Sequence, residues 1–247
     1  MKTIAILDTE TTDVDPSKGH LLEVACVLWS VEHRAVIEAR SWLLENAKLE
    51  ANPAIAVNGI APALLVHGYS RWNLEEGLEE LTKYVDAFTA WNADFDRAWI
   101  AEHLPKALGS QPWFDAMDLE WPRSSESRSL VATALAHGVG VVDAHRALTD
   151  CLTVARLFER VAEMKLAEPD DHTDDRNVRS AFDVWLARAL RPKVHVEVAD
   201  KGFDEARNTL VKAHGFRWEP APVKAWRRKM FAEDAEKLPF RVVEVTP

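Results

Sequence analysis

The sequence predicts an α/β protein with a smaller α+β unit at its C-terminal end. Three observations carry this. Short apolar runs of strand length alternate with segments of helical period over residues 1–166. Residues 167–177 (AEPDDHTDDRN) are acidic, contain a proline and have no apolar residue after the first, which marks a linker. The charge also changes along the chain of 247 residues. Residues 1–190 hold 18 Lys+Arg against 31 Asp+Glu, residues 191–247 hold 12 against 9, and the whole carries −10.

Residues 3–7 (TIAIL) form a buried strand that runs into Asp8, and residues 21–29 and 35–44 form two more strands. The turn between the latter, with Glu32, His33 and Arg34, makes an antiparallel hairpin the simplest connection. Residues 45–72 are loop and short helix, broken by Pro53, Gly59, Pro62 and Gly68. Asn73 is the expected N-cap of a helix with Leu74, Leu78, Leu81, Val85 and Phe88 on one side. A short strand at 88–91, a helix at 94–104 ended by Pro105, and a strand with its exit loop at 113–121 follow. Helices are expected at 129–138, stopped by Gly138, and at 145–164, with Val154, Leu157, Phe158 and Val161 inward. Beyond the linker, residues 178–247 read as a helix at 178–190 followed by the small α+β unit.

Hydrophobic residues make up 47% of the chain, enough for a packed core and too many for general disorder. No apolar run approaches the ~20 residues of a membrane helix. The first residues form too brief an apolar stretch for a signal peptide. Cys26 and Cys151 are too few for a disulfide framework or a cysteine zinc site, so a reducing cytoplasm is the expected compartment. The acidic large part excludes a sheath of phosphate-binding lysines. If nucleic acid is handled there, metal ions must supply much of the positive charge.

Asp8 and Glu10 lie two apart at a strand end, so both carboxylates point to one face. Such a pair suits Mg²⁺ or Mn²⁺, although two solvated acids would look the same in isolation. Asp94 and Asp96 open a helix, where acids also serve as caps. His145 and Asp150 open the long helix about 1.4 turns apart. Either they converge on a neighbouring site, with His145 able to take a proton from water, or they are a helix cap and an exposed acid. The order of these motifs, ILDTETT then WNADFD then HRALTD, resembles the DEDDh (DnaQ-like) family of 3′–5′ exonucleases over roughly residues 3–164. That family includes the proofreading epsilon subunit of bacterial replicases, ribonuclease T and oligoribonuclease.

The resemblance implies a ribonuclease-H-like fold: a mixed five-stranded sheet flanked by helices. It further implies two divalent cations, Mg²⁺ or Mn²⁺. Asp8, Glu10 and Asp150 would hold the one that activates the attacking water. Asp8 would share the second, with Asp96 near it, and His145 would be the general base. Asp96 is preferred to Asp94 because the family's motif ends in Phe-Asp, matching Phe95-Asp96. Where the family often has His-Asn, this chain has Trp91-Asn92. Substrate contacts are expected from Thr9 and Thr11 beside the acids, from Asn92 shaping the pocket, and from Leu65 in the loop that would supply a wedge.

In the tail, Trp218 and Trp226 stand among Arg217, Lys224, Arg227, Arg228 and Lys229. They read either as base-stacking residues of a substrate-binding module or as the core of a small domain with KAWRRK as a solvated edge strand. The expected activity is release of nucleoside 5′-monophosphates from the 3′ end of single-stranded DNA. The alternatives are 3′–5′ trimming of RNA and a non-catalytic nucleic-acid-binding module.

Overall fold

Thr3–Thr11 (β1) is the third strand of a five-stranded sheet in a computed structural model that describes residues 1–164, 181–191, 193–200 and 204–246. The expected linker at 167–177 lies outside the described residues. Leu21–Ser30 (β2) pairs antiparallel with β1, Leu7 facing Cys26 and Glu10 facing Glu23, and the register slips between Glu10 and Thr11. Ala35–Leu43 (β3) pairs antiparallel with β2, completing the expected hairpin. After the short helix Ile55–Asn58 (α1) and a 3-10 turn at Pro62–His67, Arg71–Thr82 (α2) leads to Ala87–Ala90 (β4), which runs parallel to β1. Ala93–His103 (α3) crosses to Trp113–Asp115 (β5), parallel to β4. The order β3-β2-β1-β4-β5 is thus mixed, as the resemblance implies.

Alternation along β1 fills two apolar layers. Ile4 and Ile6 face a cluster with Ala25, Val27 and Trp29, covered by Leu130–Ala136 (α4), Ala147–Glu163 (α5) and Ala181–Arg188 (α6). Ala5 and Leu7 face the other layer, with Val24, Cys26 and Phe88 under Leu74 and Leu78 of α2 and Trp99 and Ile100 of α3. Phe158 of α5 centres the first layer, its ring 5.4 Å from Trp29, 6.2 Å from Trp121 and 6.3 Å from Trp185.

Two compact units divide after Leu190. The helix expected to begin the C-terminal unit belongs to the first one instead: Phe182, Trp185 and Leu186 are buried in its core, and Trp185 Nε1 donates to the Glu120 carbonyl at 2.8 Å. The second unit holds Lys193–Val198 (β6), Glu205–Ala213 (α7), Arg217–Glu219 (β7), Ala225–Phe231 (β8), Ala232–Ala235 (α8) and Val242–Val245 (β9). Its sheet has the order β7-β8-β6-β9, around a core of Val196, Val198, Val211, Phe216 and Met230. KAWRRK, which one of the two readings puts at an edge, lies on an interior strand; Arg227 there is held by Glu197 at 3.0 Å and Glu219 at 3.4 Å.

Two helix starts also differ from expectation. Ser70, not Asn73, caps α2, its hydroxyl accepting the Asn73 N–H. His145 does not open α5: it has φ +66°, Arg146 is the extended N-cap, and the helix begins at Ala147.

Candidate active site

The same period of two that buries Ile4 and Ile6 carries Asp8 and Glu10 onto the α5 side of the sheet. There the apolar layer gives way to Asp150, in the first turn of α5. One carboxylate oxygen from each of Asp8, Glu10 and Asp150 lies within 4.8 Å of the others. Thr9 points to the opposite side and donates its hydroxyl to Asp96 Oδ1 at 2.8 Å. Asp96 reaches the strand end because β4 ends at Ala90 and α3 starts three residues later. Asn92 makes that sharp start with φ +72°, and its N–H is held by Asp115 Oδ1 at 2.9 Å.

All four acids and His145 line one cleft of about 380 Å³, together with Thr9, Thr11, Asn58, Trp91 and Phe95. Asp94 is exposed whereas Asp96 is buried, which favours Asp96 as the family's Phe-Asp acid. His145 is exposed at the cleft, and its backbone N–H donates to Asp150 Oδ2 at 3.2 Å. The left-handed backbone at His145 and at Asp143 (φ +48°) bends this loop back over the helix start, where the Thr149 hydroxyl donates to the Asp143 carbonyl at 2.6 Å.

The electrostatics are those of crowded acids. Burial, then the charges of Asp96, Glu10 and Asp150, push Asp8 well above the carboxylate range. Burial and Asp150 raise Glu10 to about 8 against the opposing pull of Arg146. Burial raises Asp96 to about 7, although the Thr9 hydrogen bond opposes it. Asp150 is also raised, chiefly by burial. Its Oδ1 is buried and has no hydrogen-bond partner among the described residues. Converging oxygens, one of them unsatisfied, fit hard divalent cations, which would let all the acids ionise together.

Several residues escaped sequence reasoning. The sequence leaves Glu23 on β2 open between a site acid and a solvent-facing strand acid; in the structure it is buried beside Glu10 and neutralised by Arg146, whose Nε and second guanidinium nitrogen donate at 3.0 and 3.2 Å. Ser41 and the Ala147 N–H complete its shell. Asn58 is buried and donates to the Thr11 carbonyl at 3.1 Å, tying the loop after β3 to the cleft. No local motif marks these residues, because each is defined by a partner distant in sequence.

Two of the expected substrate residues stand away from the acids. Leu65 is fully buried with Leu22 and Ile60, so it is packing and not a wedge; Leu64 beside it is exposed. Asn92 turns the backbone into α3 and does not line the cleft. Thr9 and Thr11 do line it. Trp218 and Trp226 belong to the second unit.

A family model described as "Exonuclease" matches residues 5–158, and a second, described as a domain of unknown function, matches residues 204–245. DNA polymerase III PolC-type of Thermotoga petrophila is 26% identical over 168 residues, 66% of this chain and 12% of that protein. The same polymerase of Thermotoga maritima matches with the same identity and coverage. The match spans about an eighth of the length of these relatives. Among solved structures, the zinc-bound E. coli Exonuclease I–single-stranded DNA complex aligns with TM-score 0.59 and 14% identity, covering 98% of this chain and 68% of that one. E. coli Exonuclease I with a dT13 oligonucleotide aligns with TM-score 0.52 and 18% identity, covering 66% and 41%. At those identities the likeness is one of fold. Among the described residues no helix is long and apolar enough to cross a membrane.

Proposed function

The chain belongs to the exonuclease family whose model spans residues 5–158, and from that membership we propose that it is a divalent-metal-dependent 3′–5′ exonuclease. Its substrate is single-stranded DNA and its products are nucleoside 5′-monophosphates. The observation that carries this reading is the meeting of Asp8, Glu10 and Asp150 oxygens within 4.8 Å, with Asp96 lining the same cleft.

Asp8, Glu10 and Asp150 would hold one cation, and Asp8 with Asp96 the second. Two divalent cations supply an acidified water and neutralise charge that builds on the phosphate. The residues divide the remaining work. Thr9 fixes Asp96 from the far side of β1, so the carboxylate keeps one orientation. The Asp150–His145 backbone contact keeps the histidine loop next to that acid. His145, exposed at the rim, accepts the proton of the attacking water and passes it to solvent. The Thr9–Thr11 backbone and the Asn58 tether shape the floor against which the terminal nucleotide lies. Arg146 is committed to Glu23, so it offsets part of the negative charge of the site without closing on the phosphate.

Digestion of matched single-stranded DNA and RNA oligonucleotides tests the proposal. Release of 5′-monophosphates from the free 3′ end, faster from DNA, is expected. Internal cleavage, 5′-end digestion or 3′-monophosphate products would overturn it, and faster hydrolysis of the RNA would reassign the substrate.

A further inference from the structure

The second unit carries a feature that the cleft chemistry does not use. Trp218 on β7 and Trp226 on β8 face each other in register, ring centroids 5.6 Å apart at 66°. The unit's core is built from Val196, Val198, Val211, Phe216 and Met230, with Trp226 packed only at its margin and Trp218 outside it. Trp218 is 51% exposed, a large apolar surface left in water. A core role therefore accounts for part of Trp226 and none of Trp218.

Cations gather around this pair. The Lys212 ammonium lies 5.6 Å from the Trp226 ring centroid. Arg228, two residues along β8 from Trp226 and so on the same face, packs its guanidinium over Gly215 and donates to the His214 carbonyl. Arg217 and Lys224 are exposed nearby in the same hairpin. Residues 207–229 hold seven Lys and Arg against one acid, Glu219, in a chain of net charge −10. A polyanion meets repulsion from the first 190 residues and attraction here.

We propose that the Trp218–Trp226 face of the β7–β8 hairpin is a binding site for single-stranded DNA, separate from the catalytic acids. It takes its ligand class from the proposed function. Bases stack on the open tryptophan, while Lys212 and Arg228 hold the flanking phosphates. Unpaired bases are required, because a duplex keeps its base faces stacked on one another. An acidic peptide would satisfy the cations and leave the exposed indole without a partner.

The test is binding of a long fluorescent oligothymidylate to the full-length chain in chelator. Without metal the cleft has no cation to hold a phosphate, and hydrolysis cannot enter the readout. Trp218→Ala is expected to weaken binding roughly 5- to 150-fold, equivalent to the ~1–3 kcal/mol of one base–aromatic stack. Trp218→Phe, which keeps an aromatic face, retains most of the affinity and guards against a merely misfolded variant. Arg228→Gln flattens the dependence of log affinity on log salt by about 0.7, one phosphate contact to a single strand. The proposal is overturned if the wild-type chain does not bind, if Trp218→Ala binds as wild type does, or if duplex DNA or polyglutamate competes equally well. A chain that binds through Trp218 but hydrolyses nothing with Mg²⁺ would leave this site standing and remove the proposed function. Hydrolysis with binding indifferent to Trp218 would do the reverse.

Discussion

His145 sits where chemistry and backbone geometry meet. Its φ of +66° places it ahead of α5, exposed at the cleft, with its own N–H tied to Asp150. His145→Ala should lower kcat by ~10²–10⁴-fold, the usual contribution of a general base. It should also remove the acidic limb of the pH–rate profile; an unchanged limb would assign the proton transfer to another group. Arg146, the next residue, works through Glu23. Arg146→Ala leaves a buried carboxylate without its cation beside Glu10. It should destabilise the fold by about 1–3 kcal/mol in denaturant titration, below the ~3–5 kcal/mol of a fully buried pair because Arg146 is partly in solvent. Asp8 and Glu10 were legible in the sequence because a period of two is enough to put them on one face. Arg146 was not, because its partner is 123 positions away and nothing local distinguishes it from a solvated arginine.

Helix α5 is the element that unites core and cleft. Its apolar side runs from Ala147 through Val154, Leu157 and Phe158 to Val161, while its first turn presents Asp150. Phe158→Ala removes the ring that meets Trp29, Trp121 and Trp185 and should cost about 3–5 kcal/mol, read by chemical denaturation. A loss below ~1 kcal/mol would mean that this layer packs differently. The strands and helices of the first unit were legible because buried faces write their period into the sequence. Their ends were less so. Ser70 and Asn73 are both acceptable caps and the local sequence does not choose between them; the helix starts at Arg71, with the Ser70 hydroxyl accepting the Asn73 N–H. The helix at 178–190 reads as part of the tail because the acidic segment precedes it, yet Trp185 completes the aromatic layer on the first unit. KAWRRK looks like an edge from composition alone; its neighbours β7 and β6 are set by pairing that sequence does not record.

At the scale of the whole molecule, the acidic cleft sets opposing demands on fold and function. Glu10 at about 8 and Asp96 at about 7 stand above their ordinary values of 4.5 and 3.8. The folded chain therefore binds more protons than the unfolded one between these limits. The stabilisation from protonation is complete below about pH 4 and is lost as pH rises through 7 to 8. Melting temperature in chelator should fall over pH 5–8, each group contributing at most ~1.4 kcal/mol per pH unit. Saturating Mg²⁺ or Mn²⁺ should raise the melting temperature more at pH 8 than at pH 5, because cations displace the protons that the acids otherwise keep. A chelated protein whose stability rises with pH over this range would mean that the acids are already compensated. The most direct measurement is calorimetric titration of Mn²⁺ into the wild-type and Asp8→Asn chains at neutral pH. The wild type should take up cation with release of protons, and the variant, lacking the carboxylate common to both proposed sites, should lose most of that uptake. Equal uptake by the two chains would contradict a shared cation site at Asp8, Glu10, Asp96 and Asp150.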